Sequence, residues 1–338
     1  MNKNDIAKVK SLLSTPQSIV IVPHKNPDGD AMGSTLALCK YLIKKGHKAT
    51  VISPNEYPHF LKWMPGQEDV LVYSAFAKAA KEKIQQADLI FTLDFNHFSR
   101  TGDMQSVLAE ASADYIMIDH HQEPADYAVV TYSDTTMSST CEMVYYFIEM
   151  LGDAQDIDEE MSSCLYTGIM TDTGSFRFPS TTKKTHQVVA SLIEKGAQNA
   201  LIHQAIYDTN SYSKLQLLGV ALKNLKVLPE YKTAYITLTQ KELDDHNFQK
   251  GDTEGFVNYG LSLQGIIFAV IFIENRSENI IKMSLRSKGD FSVNEFARKH
   301  YEGGGHHNAA GGRSVLSMSK TVNQFINTLA TYKSALNS

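Results

Sequence analysis

The chain has 338 residues, 43% of them hydrophobic, which suits two domains with a core each. Its 32 lysines and arginines against 37 aspartates and glutamates leave a net charge of -5, which excludes electrostatic coating of long nucleic acid and predicts no stable binding to long duplexes. No apolar run covers the roughly 20 residues that cross a bilayer. Three widely spaced cysteines, Cys39, Cys141 and Cys164, form no Cys-x-x-Cys pair, which excludes a disulfide framework and a thiolate zinc site.

In chain order, residues 1–13 (MNKNDIAKVKSLL) have charges between their apolar positions, so an amphipathic helix and a cytoplasmic location are expected rather than a secretory leader. Residues 18–22 (SIVIV) predict a strand, 31–45 a helix and 49–52 a second strand. Further strands are expected at 88–93 (DLIFTL) and 115–118 (YIMI). Continuous apolar strands separated by helical patterns predict an α/β fold with a doubly wound, mostly parallel sheet. The run 143–151 (MVYYFIEML) contains Glu149 and is too short to span a membrane. Residues 185–225 look helical, broken by the polar stretch 208–213 (DTNSYS). The expected division is a catalytic domain at 1–207, a linker at 208–218 and a smaller mixed α/β domain at 219–338. In the last, strands are expected at 233–238, 265–273 and 280–285, then a Gly-rich loop at 303–312 (GGGHHNAAGG) and a helix from Ser319.

The residues that carry chemistry sit at strand ends. His24-Lys25-Asn26-Pro27-Asp28-Gly29-Asp30 follows the first strand. An Asp-Gly turn with Asp30 as helix cap explains part of it, but not a histidine and two aspartates in seven residues. A Walker loop would need Gly-Lys-Ser/Thr, and an EF-hand would need spaced oxygen ligands and a terminal glutamate. Asp94 ends the strand at 88–93, and Asp119-His120-His121 ends the next. In an open parallel sheet the carboxyl ends of the strands form the ligand-binding edge. Thr171-Asp172-Thr173-Gly174 adds another aspartate in a polar loop. Five aspartates and three histidines without cysteine suit two divalent ions that share a carboxylate, an arrangement that lowers the pKa of a bound water and clamps an in-line phosphoryl displacement. Small residues at 303–312 would let backbone amides approach an anion. Arg286 is a candidate phosphate clamp through its bidentate fork, with Arg100, Arg177 and Arg313 as weaker ones.

These motifs, in this order, resemble the DHH phosphoesterase family, whose signature is Asp119-His120-His121 here. His24-x-Asn-Pro-Asp28-Gly-Asp30-x-x-Gly-Ser resembles its first motif, Asp94 its second and Thr171-Asp172-Thr173-Gly174 its fourth. Gly304-Gly305-His306-x-x-Ala309-Ala310-Gly311 resembles the signature of the family's associated C-terminal domain. The resemblance implies that His24, Asp28 and Asp94 hold one ion, and that Asp30, Asp94, His120 and Asp172 hold the other, with Asp94 bridging. It implies manganese as the usual ion, with magnesium or cobalt as substitutes. His121 would face the substrate phosphate, and Asp119 would orient a histidine rather than bind metal. Arg286, Gly304, Gly305 and His306, with Arg100, would hold the substrate in a cleft between the domains.

Length and the second signature favour the branch that degrades short oligoribonucleotides and dephosphorylates 3'-phosphoadenosine 5'-phosphate. Cyclic or linear dinucleotides and polyphosphate are the alternative substrates. A non-catalytic nucleotide-binding module would be expected to have lost ligands, and all are present. A homodimer is compatible with the sequence, and His307 has no assigned role.

Overall fold

The run SIVIV is strand β1 (Ser18–Val22), and its side chains alternate between two cores. Ile19 and Ile21 enter one hydrophobic cluster, and Val20 and Val22 enter another. A computed structural model describes residues 1–337, which divide into two compact units, one from Met1 to Thr209 and the other from Asn210 onward.

In the first unit α1 (Lys3–Leu12) precedes β1. There follow α2 (Gly29–Lys44), β2 (Lys48–Ser53), β3 (Leu71–Val72), α3 (Tyr73–Gln85), β4 (Leu89–Leu93), α4 (Gln105–Ala109), β5 (Asp114–Asp119), β6 (Val130–Ser133), α5 (Thr140–Met150), α6 (Glu159–Asp172), α7 (Lys183–Glu194) and α8 (Asn199–Tyr207). All six strands pair in parallel in the order β3-β2-β1-β4-β5-β6. Leu36, Phe147, Leu165 and Val188, from α2, α5, α6 and α7, join the core on one face. Ala80, Ile84 and Leu108, from α3 and α4, join the core on the other. The expected doubly wound sheet is therefore present, and its two covered faces account for the continuous apolar strands.

The strand order reverses between β1 and β4, which are hydrogen-bonded neighbours. At such a switch point the crossovers on either side diverge and leave a crevice at the carboxyl ends. Beside it α2 and α6 pack closely, because Gly168 has no side chain. A Cβ there would lie 2.2 Å from Cys141 Sγ and 2.8 Å from Asp30 Oδ1.

The second unit contains α9 (Tyr212–Lys223), β7 (Lys226–Leu228), β8 (Thr233–Leu238), α10 (Gln240–Asp245), α11 (Phe256–Leu261), β9 (Phe268–Asn275), β10 (Ile280–Ser287), α12 (Val293–His300), β11 (Gly304–His306), β12 (Ala309–Ser314), α13 (Met318–Leu329) and α14 (Lys333–Asn337). Its sheet runs β11-β12-β10-β9-β8-β7, with β8 and β9 parallel and the other pairs antiparallel. Phe268, Phe272 and Leu285 pack with Phe296 and Phe325 on one face. Ile236, Leu238 and Ile271 pack with Leu217 and Phe256 on the other.

Two local expectations are corrected. The stretch expected as a linker, 208–218, is helical from Tyr212: Ser211 caps α9 by accepting from Lys214 N, and Leu217 is drawn into the core. The Gly-rich stretch at 303–312 is a β11–β12 hairpin, not a loop. Gly304 pairs with Gly311, and Gly305 with Ala310. Glycine is needed there because Gly305 has φ 150° and a Cβ would fall 2.5 Å from Ala309 O. Among the described residues no helix is long and apolar enough to cross a membrane, and Cys39, Cys141 and Cys164 are free thiols.

Candidate metal centre

The turns that follow β1, β4 and β5, together with the end of α6, supply a cluster of acidic and imidazole side chains in the first unit. After β1 comes His24, and then Asp28, which caps α2 by accepting from Asp30 N at 3.0 Å and Ala31 N at 3.1 Å. Asp28 thus has the capping place expected of Asp30. Asp30 lies in the first turn of α2, with 1% of its surface exposed. Asp94 follows β4 in the left-handed region, φ 64°, a conformation that aspartate tolerates better than most residues. Asp119 ends β5, His120 and His121 follow it, and Asp172 ends α6.

The side chains gather in two adjoining groups. In the first, His24 Nε2 lies 3.4 Å from Asp94 Oδ2 and 3.9 Å from Asp28 Oδ2. In the second, His120 Nε2 lies 3.5 Å from Asp94 Oδ1, 3.7 Å from Asp172 Oδ2 and 3.8 Å from Asp30 Oδ2. The two oxygens of Asp94 therefore face different groups. Asp119 is fully buried, and its Oδ1 accepts from His121 Nδ1 at 2.7 Å; the same nitrogen is 3.7 Å from Asp94 Oδ1. The histidine that Asp119 holds is His121.

Both groups are organised to receive a cation. His24 Nδ1 is 2.9 Å from the Lys25 carbonyl, and His120 Nδ1 is 3.3 Å from that of Met137. A carbonyl only accepts, so each Nδ1 carries a proton and turns Nε2 toward the carboxylates, the tautomer that ligates metal. A neutral Nε2 lone pair facing carboxylate oxygens is repulsive unless a positive charge lies between them. Donors about 2.1 Å from one ion sit roughly 3 to 4 Å apart, close to the separations seen. Within each of the sets His24, Asp28, Asp94 and Asp30, His120, Asp172, one ligand atom per residue lies within 4.8 Å of the others.

The protonation preferences show the same unmet need for positive charge. Burial alone lowers the His24 pKa, but hydrogen bonding to Asp94 and the charge of Asp28 outweigh it and raise the value to about 9. His120 is likewise desolvated, yet Asp94, Asp172 and Asp30 hold it well above its ordinary range. Burial and then the charges of Asp94 and Asp172 push Asp30 well up. Burial opposes ionisation of Asp94, but the imidazoles of His120 and His24 keep it well below the usual carboxylate range. Asp172 is raised to about 6, first by burial, although a quarter of its side chain is exposed. Protons on the histidines and carboxylates thus stand where divalent ions would remove the repulsion.

The remaining expected residues are carried by other elements. Arg100 is exposed on the turn after β4, where its backbone carbonyl accepts from Lys25 N at 2.7 Å and its charge opposes protonation of His24. In the second unit Arg286 lies on β10 between Ala269 and Ala309, and its Nη1 donates to Leu285 O at 3.0 Å. His306 ends β11, half-buried, with His307 exposed beside it. Gly304 is half-buried in β11, and the Gly305 amide already donates to Asn294 Oδ1 at 3.0 Å, so that amide is not offered to an anion. Arg177 Nε donates to Gly174 O, and Arg313 pairs with Glu302.

The start of α5 was not singled out from the sequence. Thr140 N and Cys141 N donate to Asp30 Oδ2 and Oδ1 at 2.6 and 2.8 Å, and Thr140 Oγ1 donates to Asp94 Oδ1 at 3.0 Å. The legible signal was Ser139-x-x-Glu142, a helix-start pattern, which does not disclose carboxylate partners far away in sequence.

Residues 18–169 match the DHH family, N-terminal domain, and residues 230–334 match the DHHA1 domain. The bifunctional oligoribonuclease and PAP phosphatase NrnA of Thermus thermophilus is 30% identical over 307 residues, covering 90% of this chain and 86% of that protein. The cyclic-di-AMP phosphodiesterase GdpP of Bacillus subtilis is 24% identical over 96% of this chain but only 49% of its own length. Among solved structures, an exopolyphosphatase-related protein from Bacteroides fragilis is 39% identical with a TM-score of 0.96, covering 100% of this chain and 98% of that one.

Proposed function

The chain belongs to the DHH phosphoesterase family, and from that premise we propose that it hydrolyses short oligoribonucleotides to mononucleotides and 3'-phosphoadenosine 5'-phosphate to AMP, with manganese as its ion. The observation that carries the metal-dependent chemistry is the Asp94 carboxylate, with Oδ2 3.4 Å from His24 Nε2 and Oδ1 3.5 Å from His120 Nε2. The substrate class rests on the likeness to the Thermus thermophilus protein along nearly the whole of both chains.

His24, Asp28 and Asp94 would hold one divalent ion, and Asp30, His120 and Asp172, with Asp94 shared, the second. Ions so placed supply Lewis acidity and make water a better nucleophile at neutral pH. The chain's own groups supply position and proton placement. The Lys25 and Met137 carbonyls fix the tautomers of His24 and His120. Asp119 fixes His121 through Nδ1, and the His121 imidazole is assigned to the substrate phosphate. Asp28 joins its capping bonds to the ligand set, so the ligand geometry is tied to the start of α2. Arg286 and His306 are assigned to gripping the nucleotide, Arg286 through a guanidinium fork matched to phosphate. The donor set of carboxylates and imidazoles without thiolate fits manganese, with magnesium or cobalt as substitutes.

The experiment is turnover by the full chain with manganese on a panel of dinucleotide, 3'-phosphoadenosine 5'-phosphate, cyclic dinucleotide, pyrophosphate and polyphosphate. Preference for the first two is expected. Preference for the cyclic dinucleotide or polyphosphate would replace the assigned substrate, and the likeness to GdpP and to the exopolyphosphatase-related protein makes those two the informative arms.

A further inference from the structure

We infer that Thr140 is a positioning residue that sets the Asp94 carboxylate so that its two oxygens serve different ions, and thereby makes the two ions bind as a coupled pair. The inference rests on reading Asp94 as the shared ligand and goes beyond it by naming what holds that ligand in its shared orientation.

Carboxylate rotation about the last side-chain torsion of aspartate is soft and roughly two-fold. Left to itself, Asp94 could turn both oxygens onto one ion and abandon the other. The imidazoles stand 3.4 Å or more from its oxygens, His24 at 3.4 Å, His120 at 3.5 Å and His121 at 3.7 Å. Thr140 Oγ1 is closer, donating to Oδ1 at 3.0 Å, and both residues are buried, Thr140 completely and Asp94 to 2% exposure. A hydroxyl donor occupies one lone pair of Oδ1 and leaves the other for an ion, so the bond restrains the carboxylate without displacing a ligand.

Thr140 is itself immobilised by its surroundings. It opens α5, whose cap Ser139 accepts from Glu142 N at 3.1 Å. The buried Glu142 carboxylate accepts from Ser138 Oγ and, at 3.0 Å, from Thr185 Oγ1 on α7. Thr140 N also donates to Asp30 Oδ2 at 2.6 Å. One residue therefore holds the shared carboxylate with its side chain and a carboxylate of the second group with its backbone. Among the described residues the first group has no such link to α5 except through Asp94, so loss of the hydroxyl should act on the pairing of the ions rather than on the first ion's site.

The test titrates manganese into the metal-free full chain by calorimetry and by electron paramagnetic resonance, for wild type, Thr140→Val and Thr140→Ser. Wild type is expected to bind two ions with an exchange-coupled spectrum. Thr140→Val, which keeps shape and loses the hydroxyl, should hold the first ion with little change, bind the second about 10- to 100-fold more weakly, as for other outer partners of metal ligands, and show the six-line signal of isolated manganese. Thr140→Ser should restore the coupled spectrum, which a purely volume-filling role would not require. If Thr140→Val does not fold by circular dichroism, Thr140→Ala carries the same expectation. A wild-type spectrum without coupling would remove the shared-ligand reading and the inference together. A coupled spectrum in wild type that persists in the folded hydroxyl-free variant, with unchanged second-ion affinity, would overturn the inference alone.

Discussion

Asp119 Oδ1 accepts a 2.7 Å hydrogen bond from His121 Nδ1, and Asp119 has no exposed surface. This places a charge-assisted bond behind the imidazole proposed to face the substrate phosphate. Asp119→Asn keeps the shape and removes the charge, so manganese stoichiometry should persist while kcat falls about 10- to 100-fold. Loss of an ion in this variant would instead make Asp119 a direct ligand.

For Asp94, asparagine is the better probe than alanine, because it tolerates the left-handed backbone at φ 64°. Asp94→Asn replaces an anionic ligand shared by two sites with a neutral one. Turnover should fall by orders of magnitude and manganese stoichiometry below two per chain, with the circular dichroism spectrum unchanged. Wild-type turnover at low metal occupancy would remove Asp94 from its shared role.

The pH dependence of the chelated protein follows from the raised values. His24 is raised from 6.5 to about 9, so its stabilising contribution is complete below 6.5 and lost as pH rises through 9. Asp172, raised from 3.8 to about 6, favours the folded state when protonated, so its contribution is lost as pH rises through 6. Asp94, held low, loses its contribution only at acid pH. The melting temperature in EDTA should thus fall steadily from pH 6 to 9, and manganese should raise it more at pH 9 than at pH 6, because binding displaces those protons. Equal manganese shifts across that range would contradict the arrangement.

Arg286→Ala should remove one charge-assisted phosphate contact, about 2 to 3 kcal/mol or roughly a hundredfold in kcat/KM on a dinucleotide. Bis-(p-nitrophenyl) phosphate lacks the nucleotide and should lose far less. Equal losses on both would assign Arg286 to the chemical step or to the fold.

Gly168→Ala puts a methyl group 2.2 Å from Cys141 Sγ and 2.8 Å from Asp30 Oδ1. The helices must separate or Asp30 must move, at a cost of about 1 to 3 kcal/mol. Denaturant unfolding and manganese titration should both weaken. A variant with wild-type stability and affinity would show that α2 and α6 have slack to accommodate it.

Strand β1 was legible to its limits because apolar SIVIV lies between the polar Gln17 and the strand-ending Pro23. Strand β9 was expected from residue 265 but begins at Phe268. Ile266 and Ile267 are apolar, yet Gly265 adopts φ 77° and Ile266 N bonds back to Leu263 O, so the turn delays the start of the strand. Strand β3 has only two residues, too few for any periodicity. The acidic and imidazole cluster could be read because all its members but Asp172, which ends α6, follow strands, a position with physical meaning in a parallel sheet. Thr140 could not, since its partner Asp94 lies 46 positions away and nothing local to either reports the bond. The hairpin at 303–312 was missed because close strand approach and an open anion loop call for the same small residues.

Because the cluster draws on His24, Asp94, His120 and Asp172, which are spread over most of the first unit, no nascent chain that stops short of α6 can present the full ligand set. Metal loading of the proposed site would then wait on completion of that unit. A single proteolytic nick between β1 and α6 would not remove any ligand, and bound ions would hold the fragments together. Release of manganese from nicked protein therefore gives a direct measure of how far the paired strands, rather than the continuity of the chain, keep the ligands in place.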